Sequence, residues 1–303
     1  METLLHLKEF ITRRIVSLPL TSTFYLKRRA YTFTMDEKTL RGKVQQVGHR
    51  VDVNIANNHP VSLATIRELE FLIHEIRKRN IALDESLIWA LGLYTIAKHK
   101  LHRQYIQGLK KARQEAESVI GEKEVVALFK QRRSIRKWTQ EPVDVKHIED
   151  IIDVSKWAPS SCNRQLWKTL LINRPKDKEF LTRYFSNTFW LSAPLLIVVL
   201  MDAEIYCSHE KHYAYLDAGG FIQNLLLMLD HQGYGACWIG FARWDTLGNI
   251  HTEPALCERF YEYFHLKKGL IPVSMIAVGR PDRKPKLPPR QDISTIVIKD
   301  FIE

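Results

Sequence analysis

The 303-residue chain has no apolar run long enough to cross a bilayer. Its longest, Pro194 to Met201 in APLLIVVLM, falls far short of the roughly 20 residues a spanning helix needs and reads as a buried strand. Cysteine is scarce and scattered. Cys162, Cys207, Cys237 and Cys257 form no CxxC pair, so neither a zinc ribbon nor a disulfide framework is suggested, and buried free thiols are expected. The pair His209-x-x-His212 stands without a second ligand set, so no metal is expected. No secretory leader is expected: in METLLHLKEFITRRIVSLPL, Glu2 and Glu9 sit among the apolar residues and Arg13 and Arg14 follow them, the reverse of a signal peptide. A cytoplasmic protein is the expectation.

What is present is a globular composition with an uneven charge. The formal net charge is +11; residues 1–120 hold 20 Lys/Arg against 12 Asp/Glu, net +8, which leaves 25 against 22, net +3, for the remainder. Lys27-Arg28-Arg29 and Arg77-Lys78-Arg79 suit acidic lipid or nucleic acid, or equally a solvated face. No aromatic-interleaved basic motif accompanies them, so nucleic-acid binding is set aside. A peripheral membrane surface or a protein partner for this basic region stays open.

Hydrophobic periodicity divides the chain. Leu63, Ile66, Leu69, Ile73 and Ile76 mark one face of a helix that Ser62 caps. A second helical pattern runs from about Asp84 to Glu117, with a bend or break expected near Gly92 or Gly108, and Asp36 to Val47 is a further candidate helix. Residues 1–120 are therefore read as a helical N-terminal extension. From Gly121 onward helices (Glu149 to Trp157, Tyr213 to Gln232) alternate with short strands (Leu170 to Asn173, Leu195 to Met201, Ala236 to Phe241, Val273 to Gly279). Residues 121–303 are expected to form an α+β domain.

Three segments of that domain carry candidate chemistry. Arg132-Arg133-Ser134-x-Arg136 places three guanidinium groups and a hydroxyl within five residues, a set that clamps phosphate through paired charged hydrogen bonds, although a solvated basic turn has the same composition. In Ala158-Pro159-Ser160-Ser161-Cys162-Asn163-Arg164-Gln165-Leu166-Trp167, Asn163 and Gln165 offer both donors and acceptors, as the edge of a flavin ring requires and as any polar turn also does. In Gly233-Tyr234-Gly235-Ala236-Cys237-Trp238-Ile239-Gly240-Phe241, Gly235 and Gly240 let backbone approach a flat ligand, although a tight helix-to-strand turn has the same composition.

RRSIRKW, APSSCNRQLW, the Asp217 to Gly233 stretch leading into GACWIGF, and IAVGRPDRKPKLPPR together resemble the nitroreductase family in order and spacing, over residues 125 to about 295. Leu166 departs from the family's usual proline. The resemblance implies an α+β fold with a central, mainly antiparallel sheet flanked by helices, an intertwined homodimer, and FMN bound between subunits. It implies that Arg132, Arg133, Ser134 and Arg136 hold the phosphate, ribityl chain and pyrimidine edge, with Arg136 near N1 and O2. Pro159, Ser160, Ser161, Asn163 and Gln165 would line the ring, Trp238, Ile239 and Gly240 would face N5 and O4, and Arg290 with Lys286 would add a second phosphate contact. NAD(P)H as hydride donor, a small acceptor such as a nitroaromatic or quinone, and a ping-pong scheme follow from the same resemblance. No Ser-His-Asp set or catalytic carboxylate pair is needed. Aromatics between residues 180 and 215 (Phe185, Phe189, Trp190, Tyr206, Tyr213) are candidates for a lid or for ordinary core, and Ile293 to Phe301 for a tail reaching over the partner. The competing reading is a flavin-binding accessory protein that acts with a partner, for example in a polysaccharide-synthesis pathway, through its basic extension.

Overall fold

A computed structural model describes residues 35–57, 59–99, 121–185, 187–206, 210–241, 254–267 and 269–298. In chain order it places α1 (Glu37–Ala56), α2 (Leu63–Lys78), α3 (Glu85–Lys98), α4 (Glu122–Gln131), α5 (Val145–Ser155), β1 (Trp167–Ile172), α6 (Pro175–Leu181), β2 (Leu195–Asp202), α7 (Tyr213–His231), β3 (Gly235–Gly240), α8 (Pro254–Tyr263) and β4 (Leu270–Gly279).

The four strands form one antiparallel sheet in the order β1-β2-β4-β3. β2 is buried along its whole length because both of its faces are covered. Leu196, Val198 and Leu200 face one core with α6 and the aromatics Phe180, Tyr184, Trp190 and Phe260. Leu195, Ile197, Val199 and Met201 face another with α5 and α7. This accounts for an unbroken apolar run where a half-exposed strand would alternate. β4 begins three residues before the sequence pattern indicated. Pro272 interrupts that pattern, yet it sits where the β2–β4 register shifts between Val199 and Leu200, at a bulge where a missing N–H is tolerated.

α1, α2 and α3 share a separate core around Leu40, Val47, Leu69, Leu72 and Leu87. Each starts on a side-chain cap: Asp36 accepts from Thr39 N at 2.7 Å, Ser62 from Thr65 N at 3.2 Å and Asp84 from Leu87 N at 2.9 Å. Two expectations for this region change. α3 runs through Gly92 without a break, and His99 caps it; the expected continuation to Glu117, with Gly108, lies outside the described residues. The basic character also thins: residues 35–99 hold nine Lys/Arg against eight Asp/Glu, so most of the excess falls on undescribed residues, Lys27-Arg28-Arg29 among them. In the Arg77-Lys78-Arg79 cluster, Arg79 is a staple, donating to Met35 O at 2.6 Å and pairing with Glu75 at 3.3 Å.

For the candidate lid aromatics, packing decides. Phe185, Trp190 and Tyr206 are buried in the two sheet cores, so they are interior residues rather than a lid, whereas Tyr213 is exposed at the start of α7. The tail is not a strand among the described residues: Ile293–Thr295 form a short 3-10 turn with Ile293, Ile296 and Ile298 exposed. Among the described residues no helix is long and apolar enough to cross a membrane, and no cluster of metal-ligating side chains occurs.

Candidate functional site

Two of the three segments are laced together at the edge of the sheet. β3 is an edge strand, and the arginine segment crosses it: Ser134 bridges Ala236 in parallel, Ile135 N donates to Ala236 O at 2.9 Å, and Trp138 Nε1 donates to Gly235 O at 2.8 Å. Gly235 is required there, since a Cβ would lie 2.8 Å from Ile135. The fourth segment joins at the same place, where Trp138 bridges Pro281 and Thr139 N donates to Arg280 O at 2.9 Å.

Arg132 and Arg136 lie close enough to Cys237 for their charges to act on it. Burial pushes the Cys237 thiol up, and Arg136 and Arg132 pull against that. Arg133 donates to Lys130 O and Arg132 O, closing the end of α4. Among the described residues no carboxylate pairs with Arg132, Arg133 or Arg136. Two half-exposed cations and an exposed one, with no counter-ion among the described residues, are poised for an external anion. Farther along β3, Ile239 is buried, a Cβ on Gly240 would meet nothing within 4 Å, and the half-exposed Trp238 donates through Nε1 to Ser274 Oγ at 2.6 Å. Lys286 and Arg290 lie on an exposed stretch; no hydrogen bond or ion pair among the described residues brings them against Arg132–Arg136, and Arg290 donates to Pro289 O at 3.2 Å.

The turn holding Pro159, Ser160, Ser161, Asn163 and Gln165 is attached elsewhere, at the start of α7. Gly220 faces the Pro159 carbonyl, with room for a Cβ no closer than 3.6 Å. Three non-glycine residues adopt left-handed backbone in this turn: Cys162 (φ 54°), Asn163 (φ 53°) and Gln165 (φ 52°). Such conformations persist where the surroundings over-determine them, and they gather at functional sites. Gln165 N donates to Ser160 Oγ at 3.0 Å, and Gln165 Nε2 to Asn163 Oδ1 at 3.1 Å. Leu166, at the position where the family usually has proline, is buried in the α5/α7 core.

What fixes the turn from beneath was not assigned a role by the sequence reading. Asp217 accepts from Ser161 N at 3.0 Å, from Ser161 Oγ at 2.9 Å and from Tyr206 OH at 2.6 Å. Burial, then the bond to Asp217, holds the Tyr206 hydroxyl far above the ordinary phenol range, so it stays a donor. Arg164 is buried and pairs with Glu210 at 2.9 Å. Burial also pushes up the Cys162 thiol, with Arg164 pulling the other way. One of these carried a sequence signal: Asp217 is a lone carboxylate on the apolar side of YAYLDAGGFIQ, where an ionisable group requires partners.

The family model described as Nitroreductase family matches residues 129–188 and 176–280, together just over half of the chain. This chain belongs to the nitroreductase family. Within the family it is similar to an NADPH-dependent oxidoreductase of Staphylococcus saprophyticus, 25% identical over 186 residues covering 54% of this chain and 70% of that one. It is 27% identical over 178 residues to an FMN reductase [NAD(P)H] of Bacillus subtilis, again covering 54% and 70%. A candidate nitroreductase of Desulfovibrio desulfuricans, solved in complex with FMN, superposes with a TM-score of 0.50 at 24% identity over 60% of this chain and all of that one, a likeness that bears on the nitroreductase fold. The matched region starts at residue 129, so α1, α2 and α3 are additions to what the family model describes.

Proposed function

We propose that this chain is an FMN-dependent oxidoreductase that draws on NAD(P)H to reduce a small acceptor such as a nitroaromatic or quinone, and that it works as a homodimer. One observation carries the reading: Arg132, Arg133 and Arg136 flank Ser134 and Ile135, which are fastened to the edge of β3, the strand that ends at an open Gly240, and they have no carboxylate partner among the described residues. A flavin mononucleotide fits that donor set, its phosphate at the arginines and its ring along Trp238, Ile239 and Gly240. Bound there, FMN would supply hydride acceptance from NAD(P)H and onward transfer to the acceptor in a ping-pong order. The protein's part is to orient and to set the electrostatics: Arg136 places positive charge at the pyrimidine edge, and the Ser160–Gln165 turn offers hydroxyl and amide groups to the ring. Lys286 and Arg290 are the candidates for a second phosphate contact.

The two attachment points support a site shared between copies. Ser134 is tied down beyond the C-terminal end of α7 and Ser161 near its N-terminal end, and a 19-residue helix is about 28 Å long. An arginine end from one copy and a turn end from the other bring both onto one cofactor. The exposed Ile293, Ile296 and Ile298 are suited to lie over that second copy. We place the domain boundary near residue 121 and the reaction in the cytoplasm, where the free thiols Cys162, Cys237 and Cys257 stay reduced.

The accessory-protein reading draws on Leu63, Leu83 and Ile88, exposed on the added helical region, as a partner surface. Purified protein should carry or take up FMN, seen in its visible spectrum, and should oxidise NAD(P)H when a nitroaromatic or quinone is supplied. Protein that takes up no FMN on reconstitution overturns the flavin reading; protein that takes it up without turnover favours the accessory role.

A further inference from the structure

We infer that helix α1, which lies outside the family match, positions the Ser160–Gln165 turn through a continuous line of side chains, Gln46, Glu210, Arg164, Tyr206 and Asp217, ending on Ser161; the role of that turn rests on the FMN site proposed above.

The line begins where α1 is seated on the catalytic region. Lys38 Nζ meets Asp202 and Glu204, each at 3.2 Å, at the end of β2. Gly42 packs so tightly that a Cβ would lie 2.2 Å from Ile205 Cγ2. One turn on, Gln46 Nε2 donates to Glu210 Oε1 at 3.3 Å. Glu210 Oε2 accepts from Arg164 Nη2 at 2.9 Å, with side-chain exposures of 12% and 2%. Breaking a charge pair this dry is strongly destabilising, so its geometry is held firmly. Arg164 is the more exacting partner, because its Nε and Nη1 are buried with no hydrogen-bond partner. Its guanidinium is thus located by Glu210 and by the Tyr206 ring, whose centre is 5.2 Å from Cζ.

The chemistry at the far end gives the line a purpose. Tyr206 OH donates to Asp217 Oδ2, and Asp217 takes both the backbone N–H and the hydroxyl proton of Ser161. With its proton committed inward, the Ser161 oxygen presents only lone pairs outward, so it accepts from a ligand N–H or O–H and cannot donate. Asp217 is a positioning residue in this sense: it sets which way the Ser161 hydroxyl points. Ser161 directly precedes the left-handed residues Cys162 and Asn163, so these bonds anchor the start of the strained stretch.

The test uses the full chain with Lys38→Ala and Gln46→Ala combined, two changes at the α1 surface that leave the sheet cores untouched. Two readouts are taken: the rate of iodoacetamide labelling at Cys162, followed by peptide mass without FMN, and the FMN Kd. Labelling should accelerate at least threefold and Kd should rise threefold to tenfold. A cycle of Asp217→Asn with Ser161→Ala should be non-additive in Kd, the second change adding little to the first, and Asp217→Asn should raise the flavin midpoint potential, which simple loosening of the fold does not require. Wild-type labelling and wild-type Kd in the α1 double variant overturn the inference alone. Accelerated labelling in the double variant, together with a wild-type protein that binds no FMN, keeps the positioning role of α1 and overturns the flavin reading instead.

Discussion

At the Ser160–Gln165 turn the hydrogen bonds are closed inside the chain: Ser161 is held by Asp217, Gln165 N by Ser160, and Arg164 by Glu210. At the arginine segment the opposite holds, with three cations flanking the Ser134–Ile135 backbone that is fixed to β3 and no carboxylate for them among the described residues. The first end is organised during folding, and what it offers a ligand is shape and hydrogen-bond polarity. The second is left electrostatically unfinished, and what it offers is affinity. On the proposed flavin site, selectivity for the ring and affinity for the phosphate should therefore be separable by mutation.

The largest effect should come from the unfinished end. Arg132→Ala with Arg290→Ala should weaken FMN binding on the order of a hundredfold or more, since each charged hydrogen bond contributes about 1.5–3 kcal/mol. Thermal stability should barely move, because neither side chain pairs with a carboxylate of the described chain. Fluorescence titration of FMN reads the first quantity and a melting curve the second; unchanged affinity would remove the phosphate assignment and with it the contrast between the ends.

Next in size is the mirror experiment at the closed end. Arg164→Ala breaks the buried pair with Glu210 and should cost about 3–5 kcal/mol of stability, the range for such a loss. Denaturant titration checks this, and a variant as stable as the parent would mean the pair is not organising the turn.

The smallest effect is in pH. The FMN phosphate loses its second charge below about pH 6, so affinity should decline by less than tenfold from pH 7 to pH 5 through the arginine end. The turn should add no titration through Tyr206, whose hydroxyl is held high by burial and by Asp217 and so stays protonated to well above neutral pH. A steep alkaline loss of affinity between pH 7 and 9 would contradict the closed character of the turn.

Much of the fold was legible because it rests on local signals. The cap at Ser62, the apolar stripe of α2 and the run of β2 each announce themselves within a few residues. Strand edges were less so: Trp167 and Lys168 join β1 because Met201 and Leu200 lie opposite them, a fact of pairing and not of propensity. The arginine segment and the turn were legible as motifs through family resemblance. Glu210, Arg164 and Gln46 were not, since their partners lie 46 and 164 residues away and each alone looks like an ordinary surface polar residue.

Gly235 deserves a place among the functional positions although it offers no side chain to any ligand. Its hydrogen atom is what allows a rigid, β-branched Ile135 to cross the strand at close range, and Ile135 sits between Ser134 and Arg136. A single added methyl there would displace the cation cluster as a unit. In a collection of natural or selected variants, Gly235→Ala would thus behave like a lesion in phosphate recognition, and a screen scoring only ligand-facing residues would misfile it as a fault of folding.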